Sequence, residues 1–419
     1  MINLAVDSLI VVGGGPAGMM AAYAAAEAGA KVTLLEKKGR LGNKLRLTGN
    51  GRCNLTHVGD IRELIDKIPG NGQFLWSAFH SFGNEDLIEW FNSRGLYTTL
   101  EPDGRVFPRS NKADEVCEVL ENSLKSVGAK IIYNNRVKKV CVRESRVEGV
   151  DTENGLLPAR AVVVATGGCS YPWTGSSGEG YTWASNLGHT VELLRPALVP
   201  MVTKEGWVRE LKGLAFSDTY LIVKAEKEKL GNSRGELIFT HFGISGPAVL
   251  NLSRVVSLWV SRNKSPVTVE VDLEVGLTFE EVENKLVKAI KANPRRKLVN
   301  VLGDIYPLRF VKVLADIIEI NGEKRAGEVG KKEIRALGNL IKRLPLTILN
   351  TRSIREAYVT AGGINVNEIN PQNMESKLVS GLFFAGEVLD VDGLTGGYNL
   401  QAAFSTGYVA GKAAADYYH

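Results

Sequence analysis

Residues 8–36 read SLIVVGGGPAGMMAAYAAAEAGAKVTLLE, and this stretch decides the fold. Residues 8–12 are uniformly apolar and short, as in a strand buried on both faces. The alanine-rich residues 17–28 predict a helix, stopped by Gly29. KVTLL at 31–35 predicts a second strand that ends at Glu36. Between first strand and helix, Gly13, Gly15 and Gly18 form a G-x-G-x-x-G turn that also holds Pro16 and Ala17. The first glycine permits the tight turn, the second lets a pyrophosphate approach the helix N-terminus, and the third allows close helix–sheet packing. Glu36 stands where an acid accepts a bond from a ribose 2′-hydroxyl, which favours FAD or NAD over NADP. The expectation is an α/β, Rossmann-like dinucleotide domain.

The next loop separates the two cofactors. Residues 41–57, LGNKLRLTGNGRCNLTH, are rich in glycine and basic residues, where a nicotinamide-only dehydrogenase would place an ordinary crossover helix. A loop here suits FAD, with Lys44, Arg46 and Arg52 available to neutralise pyrophosphate or an anionic reduced flavin. No second G-x-G-x-x-G lies between a strand and a helix, so a dedicated nicotinamide domain is not expected. NAD(P)H remains a possible electron donor acting directly at the flavin.

The chain has 419 residues, long enough for two or three domains. Forty-five are glycine, gathered in clusters without a period of three, against a usual share of about 7%. No run of eighteen apolar residues predicts a membrane span. The N-terminus lacks a basic leader and reads as a cytosolic start. The four cysteines form no CxxC pair and have no metal spacing with the five histidines, so no metal is expected. The formal charge is +5, and residues 280–343 carry fifteen Lys/Arg against nine Asp/Glu, a local surplus of six. Without aromatic interleaving, this reads as a solvated helical face, and nucleic acid is not the expected partner. Further along, a helix is expected at 114–127. Short strands at 130–133, 137–142 and 146–151 are expected to form one small antiparallel piece, and a buried strand is expected at 161–165. Texture turns β-rich over 192–277 and helical over 278–350, between two parts of a core at 1–191 and 351–419.

Residues 11–18, 44–54, 104–110 (GRVFPRS), 165–177 (ATGGCSYPWTGSS), 239–253 (FTHFGISGPAVLNLS) and 358–411 together resemble the BaiN/YhiN-type FAD-dependent flavoproteins. Relatives in that family include aminoacetone oxidase and a bile-acid dienoyl reductase. The resemblance implies a glutathione-reductase-type FAD domain with an inserted β-barrel-like domain and a small helical domain. It places contacts to non-covalent FAD on Gly13, Gly15, Pro16, Ala17 and Gly18, on Glu36, Lys37 and Lys44, and on Gly49, Asn50, Gly51, Arg52, Cys53 and Asn54. Further contacts fall on Val137, Thr166, Gly167, Gly168, Gly386, Glu387, Asp390, Gly397, Tyr398, Asn399, Leu400 and Gln401. Elementary chemistry agrees with the last group: Glu387 follows the buried strand LFFA, and residues 396–401 open the closing helix, whose N–H groups stabilise charge on a reduced flavin.

His241, Tyr398 and Tyr171 are the expected proton-handling residues. Cys53 and Cys169 read as packing residues. The activity these readings imply is hydride transfer between FAD and a small organic molecule. One direction is NAD(P)H-driven reduction of an activated C=C bond; another is oxidation of a small amine with oxygen. A tRNA-directed flavoprotein and a flavin-binding scaffold without turnover are the remaining alternatives.

Overall fold

The computed structural model describes residues 8–226 and 228–418. The cytosolic reading of the N-terminus rests largely on residues 1–7, outside the described residues. The chain divides into two compact units, residues 1–195 with 354–419, and residues 196–353.

In the first unit, β1 (Leu9–Val12) runs into α1 (Pro16–Glu27) and back through β2 (Val32–Leu35). All four residues of β1 are buried, as an apolar strand between helix layers must be. The sheet has five parallel strands in the order Leu382–Phe384, Ala161–Val164, β1, β2 and Lys130–Ile132. The last of these corrects an expectation. Residues 130–133 were assigned to an antiparallel piece, but Lys130 to Ile132 pair in parallel with Thr33 to Leu35. A three-residue strand has too few alternations to reveal its partner. The antiparallel piece exists without it, as strands Val137–Arg143, Arg146–Thr152 and Gly155–Pro158.

The closing helix, Tyr398–Tyr418, lies against α1 at glycine contacts four residues apart. A Cβ placed on Gly407 would fall 2.3 Å from the Ala17 carbonyl oxygen, and one on Gly411 would fall 2.2 Å from that of Ala21. Backbone rather than a flexible side chain is the obstacle, so nothing nearby can yield cheaply. Gly407→Val should therefore cost roughly 1–3 kcal/mol, the usual range for overpacking, read as a lower denaturant midpoint with unchanged slope.

The second unit is a closed six-stranded barrel. Its strands follow the order Met201–Thr203, Gly243–Ser245, Glu228–Phe239, Ala215–Ala225, Val267–Asp272 and Leu344–Thr351. Two expectations change here. Residues 344–350 were read as part of the helical stretch, yet Leu344, Leu346 and Ile348 alternate inward and complete the barrel. The β-rich stretch also contains a 17-residue helix, Pro247–Asn263, whose face of Val249, Leu252 and Val256 joins the barrel core. Gly246-Pro247 was the legible start signal, obscured by the many β-branched residues that follow. Helices Phe279–Ala292, Leu298–Gly303, Leu308–Ile317 and Lys331–Lys342 share the same apolar cluster with the barrel.

Candidate dinucleotide site

The turn after β1 is built by backbone contact. Gly13 has φ +108, its N–H bonds to the Leu35 carbonyl at 2.9 Å, and a Cβ on Gly18 would fall 1.8 Å from its oxygen. α1 starts with Pro16 at its first turn, with no side-chain cap and no acid there. Its leading N–H groups and dipole are thus free to meet an anion. At Gly15 an added Cβ would meet nothing within 4 Å, so this stretch of backbone borders open space.

Glu36 stands just after β2, beside the glycine turn. It is 9% exposed; its Oε2 accepts the Gly14 N–H at 2.8 Å and its Oε1 the Lys38 N–H at 2.7 Å. Burial raises its pKa against the opposing pull of those two N–H groups and of Lys37 and Lys38. Each oxygen keeps a lone pair for a ribose hydroxyl.

The 41–54 loop folds back under five positive φ values, at Gly42, Gly49, Asn50, Gly51 and Cys53. Only one of its three cations reaches Glu387. Arg46 pairs with Asp114, and Arg52 is bound to Glu101 and Asn111 with its guanidinium 3.9 Å from the Phe107 ring centre. Lys44 instead donates to Glu387 Oε2 at 2.6 Å and to Ser170 Oγ at 2.5 Å. Glu387 Oε1 accepts the Thr360 N–H at 2.9 Å and the Ser170 hydroxyl at 3.2 Å. Gly168 lies against both, since a Cβ there would fall 2.4 Å from Thr360 Oγ1 and 2.8 Å from Glu387 Oε1. Among the described residues, three buried polar atoms in these segments have no hydrogen-bond partner: Arg46 Nε, Asn54 Oδ1 and Thr166 Oγ1. Buried orphans are costly and call for a ligand or water. With the open edge at Gly15 and the acid at Glu36, they suit a dinucleotide cofactor.

Gly386 brings the end of strand Leu382–Phe384 to α1, its N–H bonded to Thr406 Oγ1 at 2.9 Å. In the following segment two side chains bond within the protein. Asn399 is spent on both polar groups of Gly393, and the fully buried Gln401 on Thr56, Ser405 and the Phe82 carbonyl. Gly397 packs on Thr56, Leu400 is partly buried, and Asp390 accepts from Asn71 at 2.9 Å. Gly167 has φ +71, with Ser176 beside it, and Val137 is buried at the start of its strand. Burial pushes the Cys53 thiol up to about 12, which marks it as a packing residue; Cys169 is raised for the same reason.

The three expected proton-handling residues stand in different settings. Tyr398 is 6% exposed and stacks on His57 at 5.1 Å. Tyr171 is held at φ +50, half-buried, with its hydroxyl pushed up to about 12 by burial and by Tyr358 and Glu356. His241 belongs to the barrel unit, exposed in the turn before Gly243–Ser245 with its ring edge-on to Phe242. Ser170 and Thr360 lie within the family-like stretches 165–177 and 358–411, and Glu179 just after the first, but only the fold brings them to Lys44, Glu387 and Lys37.

A second polar cluster in this unit is structural. His189 Nε2 lies 2.9 Å from Ser376 Oγ and Nδ1 lies 3.2 Å from Glu368 Oε2, with no side-chain exposure. Ser376 Oγ already accepts the Leu378 and Val379 N–H groups, so its own proton goes to a neutral imidazole. Burial lowers the His189 pKa, outweighing Glu368, and the contact is a hydrogen bond from neutral histidine rather than an ion pair. The unfolded chain takes this proton below pH ~6.5, while the folded one resists it. Stability should fall on acidification below that point by up to ~1.4 kcal/mol per pH unit from this residue. His189→Gln should remove that part of the slope in denaturation series from pH 7 to 5. An unchanged slope would show that the cluster is protonated in the fold.

Residues 7–413 match the family model described as HI0933-like protein Rossmann domain. The chain is 33% identical over 411 residues to the 3-dehydro-bile acid delta(4,6)-reductase of Clostridium scindens, covering 97% of this chain and 98% of that one. It is 31% identical to the ribosomal RNA dihydrouridine synthase of Haemophilus influenzae, covering 95% and 96%. In fold it is similar to the 3-ketosteroid delta1-dehydrogenase of Sterolibacterium denitrificans, with a TM-score of 0.53 at 14% identity, over 98% of this chain and all of that one. Fingerprint, cradle and full-length similarity agree: the chain belongs to the HI0933-like Rossmann family.

Proposed function

We propose that this protein, an FAD-dependent oxidoreductase, reduces a carbon–carbon double bond conjugated to a carbonyl group. The observation that carries the reading is a chemistry shared by two dissimilar relatives. A 3-dehydro bile acid with delta(4,6) unsaturation holds double bonds conjugated to its ketone. Forming dihydrouridine saturates the uracil bond conjugated to a ring carbonyl. Bound FAD, once reduced, supplies the hydride for such a bond.

The chain's own residues bind, orient and compensate charge. The N-terminus of α1 faces the pyrophosphate, and Glu36 takes the ribose hydroxyls. Glu387, held by Lys44, presents its carboxylate to ribitol, while the N–H groups opening the closing helix offset negative charge at the flavin pyrimidine edge. Tyr171 keeps its proton because burial raises its pKa, and it serves as the proton donor that completes saturation. NADH or NADPH is the electron donor.

A small enone is the first substrate class. Uracil within RNA is the second reading, favoured by the H. influenzae relative and by 26 Lys/Arg against 18 Asp/Glu in residues 196–353. Against it, Arg296 and Lys297 are engaged by Asp304 and Glu323 at 2.7 and 2.5 Å. Anaerobic, pre-reduced protein mixed with a steroid 4,6-dien-3-one or uridine-containing rRNA, and oxidised protein mixed with aminoacetone, decide among them. Rapid flavin reoxidation by the dienone supports the enone reading, and by rRNA alone the second. Reoxidation by neither ends both, and reduction of oxidised flavin by the amine would establish the oxidase direction.

A further inference from the structure

Residues 170–179 lie across the dinucleotide site, fastened by side chains at both ends and held between them by lighter contacts, the Tyr171 N–H to the Arg355 carbonyl at 3.2 Å and Ser176 beside Gly167. At one end, fully buried Ser170 is held by Lys44 and Glu387. At the other, Glu179 receives Lys37 and Arg136, with both Nε and Nη2 of Arg136 at 2.6 Å, and Ser177 Oγ accepts from Lys37 at 2.6 Å. Between them the chain turns through left-handed Tyr171, Gly175 and Gly178. An added Cβ on Gly175 would fall 3.6 Å from Lys37 Cε, 3.7 Å from Lys38 Cγ and 3.9 Å from Glu36 Oε1. The segment therefore roofs the ribose-binding acid, while the backbone edge at Gly15 stays open. Trp173, at its centre, is 59% exposed and adds nothing to the core.

We infer that residues 170–179 form a strap that must lift to admit or release FAD, with Glu179, Lys37 and Arg136 as its latch. The inference rests on the proposed FAD site and adds to it control over cofactor exchange. The latch is electrostatic and partly exposed, with Arg136 55% and Glu179 17% accessible, so salt weakens it without dissolving it. A side chain that only touched the cofactor would, when removed, speed release alone. A latch, when removed, speeds entry and release together, because both pass through the same opening.

The test is FAD exchange measured by flavin fluorescence, with no substrate present. In the unaltered protein, the rate of FAD uptake by the cofactor-stripped form should level off as FAD concentration rises, since opening limits it. Glu179→Gln should raise both the plateau and the release rate about tenfold, equivalent to ~1.4 kcal/mol of latch. Arg136→Gln should give a smaller change in the same direction, and the double variant little beyond Glu179→Gln alone. High salt should accelerate release in the unaltered protein but hardly in Glu179→Gln. Equal thermal midpoints of the variants show that the effect is local. If they are unequal, Arg136→Gln, which replaces the more exposed partner, decides by its uptake plateau. Failure of the unaltered protein to bind FAD at all would overturn the site itself. Tight binding with uptake linear in FAD concentration, or variants that change release but not the plateau, would overturn the strap alone.

Discussion

Gly15→Val should yield a protein that folds normally and carries no flavin. The two halves of that result have separate causes in the same backbone. Gly15 has φ −82 and ψ −178, an extended conformation any residue adopts, and its Cβ position meets no atom within 4 Å. Valine therefore causes no strain in the cofactor-free chain. The open space it fills is where a pyrophosphate would meet the first N–H groups of α1. The expected loss in FAD affinity is at least about a hundredfold, or ~2.7 kcal/mol, measured by titration of the stripped protein. Gly13→Val provides the contrast. Its φ is +108 and its Cβ would fall 2.5 Å from the Ala165 carbonyl oxygen, so it should damage folding itself. A yellow, fully loaded Gly15→Val protein would place the cofactor elsewhere.

Glu36→Ala should weaken FAD binding by about ten- to a hundredfold, the effect of losing hydrogen bonds to a charged acceptor. Part of this loss acts through the turn, because the Gly14 and Lys38 N–H groups lose their acceptor as well. Glu36→Gln retains one amide oxygen and should fall between the two. The carboxylate also predicts a pH dependence. Burial raises its pKa, so the ionised acceptor is present at neutral pH and is lost as pH falls through that raised value. FAD affinity should decline on mild acidification in the unaltered protein and much less in Glu36→Ala. Parallel declines in both would assign the titration to another group.

How much of this was legible beforehand follows the range of each interaction. The β1–α1–β2 unit and Glu36 could be read because strand burial, helix propensity and the glycine turn are local properties. The parallel partner of Lys130–Ile132 could not, since pairing with Thr33–Leu35 joins residues about a hundred positions apart. Arg46, Arg52 and Lys44 looked equivalent as cations in a loop. Only the placement of Asp114, Glu101 and Glu387 separates the two arginines from the lysine that reaches Glu387. Gln401 is a cofactor contact by the family resemblance, and only the fold shows that its side chain meets Thr56, Ser405 and Phe82. Most of the strap lies within the family-like stretch 165–177, but its latch was not legible, because Lys37, Arg136 and Glu179 converge from three separate segments.

The most direct measurement is an anaerobic visible spectrum of the purified protein, taken before and after NADH or NADPH and again after a conjugated dienone. The account predicts a bound-flavin band at one FAD per chain, bleached by at least one nucleotide and restored by the dienone without oxygen. A protein with no flavin band that binds no added FAD would contradict the cofactor assignment. A flavin band indifferent to both nucleotides, but bleached by a small amine and restored by air, would contradict the proposed direction of the reaction.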